Sequence, residues 1–510
     1  MAALGRRGVL AVKWSAVATL ARFALQFAAQ VVLARTLGPE LFGVFGIGMV
    51  VLTFATFVSG FGFGWSLLQR AELRDQDIRF AWTWQLLFGC ATALAVYLAA
   101  PWLADYFREP RARSVIEWLS LACLLNAAAA PATYLLQRDL NFRAAGLIQV
   151  LAYACGYLVV GVPMALSGWG TASLVAACLV QGAVSLVASY AARPHPVRPL
   201  FWYSDGRGAF GTGRAVALTN IVNWSLNNLD RVVIGRLLDA QAFGLYNAAY
   251  NLATLPNALL LGALQPAFLA AGARLQDEPQ RLGRAYLQMI ATVLVVGLPV
   301  FASLALMSND LVRLLYGSRW VGAGPVLALL FLSIPAYVVW GLSTPVLWNT
   351  GRKNHEYALQ LPLVALGALA FWSLGGRGIV VAAAIAGALL LARALVIGTA
   401  AFRALGLRAT LLAPDLARGL ALAALCACGA WLGQQAMAPA GLALLSLAAA
   451  TFGAALPGLM ILLLRPAWLG EHTVGMVLRF APALGRLLRP GAVAAAAAPD
   501  LAAALDGSRP

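Results

Sequence analysis

Acidic residues are scarce in this chain: 19 Asp and Glu among 510 residues, against 36 Lys and Arg. Lysine is nearly missing too, with only Lys13 and Lys353, so the basic surplus of +17 is carried by arginine. Charged residues total 11%, where a soluble domain carries about 25%. The three histidines (His195, His355, His472) are isolated, and six cysteines (Cys90, Cys123, Cys155, Cys178, Cys426, Cys428) sit inside apolar runs without ligand spacing. A zinc site and a disulfide framework are therefore excluded, and no cofactor is expected. No G-x-x-x-x-G-K-[ST] segment occurs, so the chain carries no ATPase loop of its own. Its bases stand singly or in small groups between apolar runs instead of lining a basic face with interleaved aromatics, which argues against nucleic acid. A glycosyltransferase or polymerase would need a sizeable region outside the membrane or a cluster of acids, and neither is present.

What is present is apolar. Hydrophobic residues make up 62% of the chain, enough for about fourteen spans of roughly 20 residues each and little else. The runs place spans near 14–34, 42–66, 80–104, 115–136, 144–166, 170–192, 215–235, 243–268, 285–307, 323–348, 358–374, 378–400, 416–436 and 441–464. Arg6, Arg7 and Lys13 precede the first run, which contains Arg22 and lacks a small-x-small cleavage site; it reads as a retained span. With the N-terminus inside, 25 bases fall on the inner side, 8 on the outer side, and Arg22, Arg231 and Arg393 within spans. That bias places both termini in the cytoplasm. The fold class expected is an all-α polytopic membrane protein with two pseudo-symmetric six-helix bundles plus two C-terminal helices. The expected divisions are 1–195, a cytoplasmic linker 196–213, 214–402, two further helices in 403–465, and an amphipathic and disordered tail 466–510.

An internal repeat supports the two bundles. LARTLGPELFGVF (33–45) aligns at an offset of 201 with IGRLLDAQAFGLY (234–246), matching Arg35 to Arg236, Phe42 to Phe243 and Gly43 to Gly244. An even shift of six helices preserves orientation, an arrangement that transporters use to place a site between bundles. Carried back along the helices, the offset sets Thr19, Arg22, Gln26 and Gln30 against Asn220, Asn223, Asn227 and Arg231. Spacings of 3, 4 and 4 put each set on one helix face. Tyr250 and Asn251 add polar groups to the eighth span. Polar residues in spans cost free energy and face a bundle interior or a wet cavity, although Asn and Gln also serve as plain interhelical glue. Asp230, the one acid well inside a span, is a candidate for ion coupling or for a structural ion pair with Arg231. Arg393, near a span end, reads as an anchor.

The segments LARTLGPELFG, FGFGWSLLQR (61–70), LLQRDLNFR (135–143), NNLDRVVIGR (227–236), YNAAYNLATLPNALL (246–260), ARLQDEPQRLGRAYLQ (273–288) and YGSRW (316–320) resemble the Wzx-type polysaccharide-repeat flippases. These belong to the multidrug/oligosaccharidyl-lipid/polysaccharide exporter superfamily. The resemblance runs in register over roughly residues 10–335; beyond that only hydropathy matches. It implies alternating access and transport of an oligosaccharide on an undecaprenyl-pyrophosphate carrier across the bacterial inner membrane. Arg22 and Arg231 are the positions that fit a cationic receptor for the diphosphate. Implied partners are the lipid-linked oligosaccharide, membrane lipids, and polysaccharide polymerase or export machinery. A drug exporter of the same superfamily is the alternative, and would favour cavity acids.

Overall fold

The computed structural model describes residues 2–60, 63–69, 72–203, 224–225, 227–274, 278–437, 443–470 and 473–474. Among these there is no strand. Eleven helices are long and apolar enough to cross a membrane. The first of them, Thr19–Thr56, holds two of the expected spans, because the helix Ala2–Gly60 breaks at Gly38 (φ 76°). Glycine ends the incoming helix in the left-handed region, and Pro39 then starts the outgoing one with its ring pre-set for a first turn. The eighth expected span lies in the helix Ala240–Arg274. Much of the seventh, including Asn220 and Asn223, lies outside the described residues. The architecture is that of an all-α polytopic membrane protein.

Two compact units form, Met1–Asn247 and Ala248–Pro510. In the first, the repeat read from the sequence is a physical contact. A Cβ placed on Gly43 would overlap the carbonyl oxygen of Ala240, and one on Gly244 would overlap the carbonyl oxygen of Pro39. Pro39 and Ala240 are themselves repeat counterparts, so two copies of one motif cross backbone on backbone. Only glycine allows that approach. Beside the crossing, a Cβ placed on Gly46 would lie 2.8 Å from the Phe243 ring and 3.0 Å from the Asn247 amide. Arg111 joins Glu40 at 2.8 Å and Glu109 at 2.7 Å, and its hydrogen bond holds the Glu109 carboxyl below its ordinary value.

Residues 193–203, which run from the end of the expected first bundle into the expected linker, are strapped to the start of the helix Asp75–Phe107. The Leu200 amide donates to Thr83 Oγ1 at 2.8 Å, Trp84 Nε1 donates to the Phe201 carbonyl at 2.9 Å, and Tyr203 donates to Asp77 Oδ1 at 2.6 Å. Arg79 reaches the carbonyls of Arg198 and Pro199. Leu200 and Tyr203 pack on a buried cluster that includes Phe63, Ile78, Phe80 and Leu135. His195 is buried at the head of this strap, edge-on to Tyr190 with ring centroids 5.2 Å apart. Burial first, then the neighbouring charge of Arg193, pushes the imidazole below its ordinary value. A detached strap therefore binds more protons than a docked one. Docking should be strongest above about pH 6.5, the free imidazole value, and should weaken as pH falls through the lowered value. Amide exchange over 195–203, corrected for intrinsic rates, is expected to accelerate between pH 7.5 and 5.5. A flat profile would exclude His195 as its cause.

In the second unit, Leu469 and Val474 are buried against Val295, Leu422 and Cys426. All six cysteines are free. Among the described residues no group of His, Cys, Asp and Glu could hold a metal ion.

Candidate functional site: a polar path in the first unit

Arg22 sits in the first span, and its half-buried guanidinium is held from the side. Its Nη1 donates to Gln149 Oε1 at 2.8 Å, and its centre lies 5.9 Å from the Phe23 ring. The Nε atom is buried and has no hydrogen-bond partner among the described residues, and Arg22 forms no ion pair with any of them. Among the described residues, a cation in a spanning helix is thus hydrogen-bonded by a neutral amide alone. Gln149 comes from the helix Phe142–Tyr153, whose N-cap Asn141 accepts the Ala144 amide at 3.2 Å. Sequence reasoning missed Gln149. The available signal was a lone glutamine within the apolar fifth run.

Gln26 and Gln30 continue the stripe one and two turns on, both half-buried. From the repeat-related span, Asn227 and Arg231 are also half-buried, and Arg231 donates to Asn228 Oδ1. Asn228 itself donates to the Trp224 carbonyl at 2.8 Å. Trp224 donates to Thr53 Oγ1 at 3.1 Å and lies 4.8 Å from the Phe54 ring, so this span packs on the second one. Asp230 points the other way: it is buried and accepts the Tyr246 hydroxyl at 2.7 Å. Adjacent positions on a helix diverge by about 100°, and the hydrogen bonds of Asp230 to Tyr246 and of Arg231 to Asn228 fall on different sides. Tyr250 and Asn251 are half-buried and belong to the second unit.

Arg393 is not an anchor. It is 4% exposed, lies 3.6 Å over the Trp340 ring, and donates through Nε to Gln360 Oε1 at 2.7 Å. Gln360 passes the charge on, donating to Glu356 Oε1 at 3.0 Å. Thr344 donates to the same oxygen at 3.0 Å and Trp348 to the other at 2.8 Å. An amide-bridged ion pair thus ties the helices Ala323–Asn349, Lys353–Leu374 and Ile379–Ala404. Three turns of helix separate Arg393 from its C-terminal end, and the cation finds its counter-charge within the protein before it finds headgroups.

Residues 32–325 match the model of a family described as "Polysaccharide biosynthesis protein". The chain is 28% identical over 346 residues to the lipopolysaccharide biosynthesis protein WzxC of Escherichia coli (strain K12), covering 64% of this chain and 67% of that one. It is 27% identical over 371 residues to the succinoglycan biosynthesis transport protein ExoT of Rhizobium meliloti (strain 1021), covering 72% and 74%. Among solved structures, the lipid II flippase MurJ in an inward closed conformation is similar at TM-score 0.70 and 12% identity, covering 88% of this chain and 98% of that one. An inward-facing multidrug transporter of the MATE family is similar at TM-score 0.59 and 15% identity, covering 76% and 94%.

Proposed function

The chain belongs to the family of polysaccharide biosynthesis proteins, and from that premise we propose that it flips undecaprenyl-pyrophosphate-linked oligosaccharide repeat units across the bacterial inner membrane by alternating access. The observation that carries this reading is Arg22: a guanidinium in a spanning helix, answered among the described residues by one amide and no carboxylate. A diphosphate supplies the missing charge, and a planar fork suits its oxygens. Gln26, Gln30, Asn227, Arg231, Tyr250 and Asn251 would serve the sugar, since amides and phenols both donate and accept. Asn220 and Asn223 are assigned the same role from the repeat. Relatives named for lipopolysaccharide and succinoglycan biosynthesis support a carbohydrate cargo, and the likeness to a lipid II flippase supports a lipid carrier. A drug cation would be better served by a free acid, and Asp230 is already engaged by Tyr246; ion coupling is the remaining role proposed for it.

The topology proposed with this function has both termini cytoplasmic, 196–213 as a cytoplasmic linker between bundles 1–195 and 214–402, and 403–465 as two additional helices. Arg198 has an exposed side chain on the strap. Arg198→Cys should therefore stay unlabelled by an impermeant thiol reagent in intact cells and react fully in inverted vesicles; labelling of intact cells overturns the orientation. The function itself is tested in proteoliposomes loaded with an undecaprenyl-pyrophosphate-linked oligosaccharide. Protein-dependent exposure of the sugar on the far leaflet is expected, and a rate equal to that of protein-free vesicles refutes it.

A further inference from the structure

We propose that the cavity beside the strap 193–203 binds one anionic phospholipid of the surrounding membrane, with an acyl chain in the cavity and the phosphate on the arginines of the strap. The proposal stands on the membrane class of the chain and goes beyond the transport reading without needing it.

The cavity measures about 370 Å³, within the range of about 300–1,000 Å³ usual for ligand pockets. Leu186, Val187 and Val197 supply apolar walls, and Trp82, Tyr190 and His195 add rings. Trp82 stands seven residues inside the helix Asp75–Phe107, and Val187 five residues before the end of the helix Thr171–Ala192. Both are therefore about 8–10 Å from the helix ends, where a headgroup layer of about 5–8 Å gives way to hydrocarbon. The mouth is apolar as well. Val187 is 68% and Val197 46% exposed, and Phe201 and Trp202 are exposed on the strap. Aromatic side chains gather at that level of a membrane, and an apolar opening there faces acyl chains.

Charge selects the headgroup. Residues 193–203 contain two arginines and no acid. Arg193 is answered by Asp139 at 2.7 Å. Arg198 is exposed, adjoins the cavity-lining Val197, and its side chain has no ion pair or hydrogen bond with a described residue. Arg79 spends its donors on the Arg198 and Pro199 carbonyls, which hold the strap but leave its charge without a carboxylate. The acid closest in sequence, Asp77, is engaged by the Tyr203 hydroxyl and the Arg74 amide. Two guanidiniums without counter-charge thus stand at an apolar cavity. A phosphate oxygen suits the guanidinium fork, and basic pockets between spans on the cytoplasmic side, where the proposed orientation puts the strap, hold anionic headgroups. A zwitterionic lipid brings its own ammonium, which the same arginines repel.

The test places the full chain in phosphatidylcholine vesicles holding a small share of phosphatidylglycerol with a diazirine midway along one acyl chain. After illumination, crosslinked peptides are mapped by mass spectrometry. Crosslinks at Trp82 and within 186–191 are expected, about fivefold above those from phosphatidylcholine carrying the same diazirine, the worth of one arginine near a headgroup. Arg198→Gln should bring the phosphatidylglycerol signal down to the phosphatidylcholine level. Val187→Trp, a larger side chain at the mouth, should remove the signal of both lipids. Each changes an exposed side chain, so folding is spared. Equal crosslinking by the two lipids, or a preference that survives Arg198→Gln, overturns the proposal. So does displacement of the phosphatidylglycerol probe by a much smaller amount of undecaprenyl pyrophosphate, which would make this a carrier-lipid site. An overturned result leaves the flippase reading untouched, because the oligosaccharide assay above decides that separately.

Discussion

Arg22→Ala is expected to abolish polysaccharide export while the protein accumulates in the membrane at its usual level. Holding a guanidinium in the middle of a span costs about 2.5–3.5 kcal/mol on insertion scales, and the structure shows no carboxylate among the described residues that offsets it. A side chain kept there for stability would be paired; one kept for an anionic headgroup is held in place and left short of charge. Gln149 does the holding, through one Nη1 at 2.8 Å, which leaves the rest of the guanidinium fork for another acceptor. Alanine therefore removes a burden from the fold and a ligand from the site. Arg22→Lys should restore export only in part, since an ammonium keeps the charge without the planar fork. Export measured beside membrane abundance for both variants decides the point. Wild-type export with alanine at position 22 removes Arg22 from the site, and a matching fall in abundance would make it structural.

Glu356→Ala is expected to have the opposite signature, a large loss of stability. Glu356 is 6% exposed and accepts from Thr344, Trp348 and Gln360, and through Gln360 it answers Arg393. Its removal takes away the carboxylate that the Gln360 bridge brings to the buried Arg393 guanidinium. Breaking a buried pair in this way costs about 3–5 kcal/mol, whereas replacing the whole set by apolar groups of similar size is often neutral. The unfolding midpoint of purified protein should thus drop sharply in Glu356→Ala. Most of it should return when Gln360→Leu and Arg393→Met are added. A midpoint for Glu356→Ala unchanged from wild type would show that the pair carries no stability. Equal losses in the single and triple variants would trace the effect to lost volume instead of stranded charge.

These two arginines show where sequence reading reaches and where it stops. Arg22 and Arg393 look alike along the chain, each a lone cation in an apolar run. Hydropathy assigns both a cost, but the compensation comes from residues distant in sequence. Gln149 is 127 positions from Arg22, and Gln360 is 33 from Arg393. Glu356 reads as part of a polar loop, GRKNHEY, because its burial depends on the helix that turns back over it. For Asp230 the sequence leaves ion coupling and a pair with Arg231 both open, while the structure gives it Tyr246, 16 residues on.

By itself the sequence determined the membrane class, most of the spans and the repeat, because a hydrocarbon core of fixed thickness demands apolar runs of fixed length and a duplicated motif keeps its spacing. Tertiary structure alone decided that the two repeat segments touch at paired glycines, that residues 193–203 are strapped to the third span, and which cation is neutralised and which is not. Each of those depends on close approach between segments far apart in the chain, where a few tenths of an ångström separate a hydrogen bond from a clash and composition carries no record of distance.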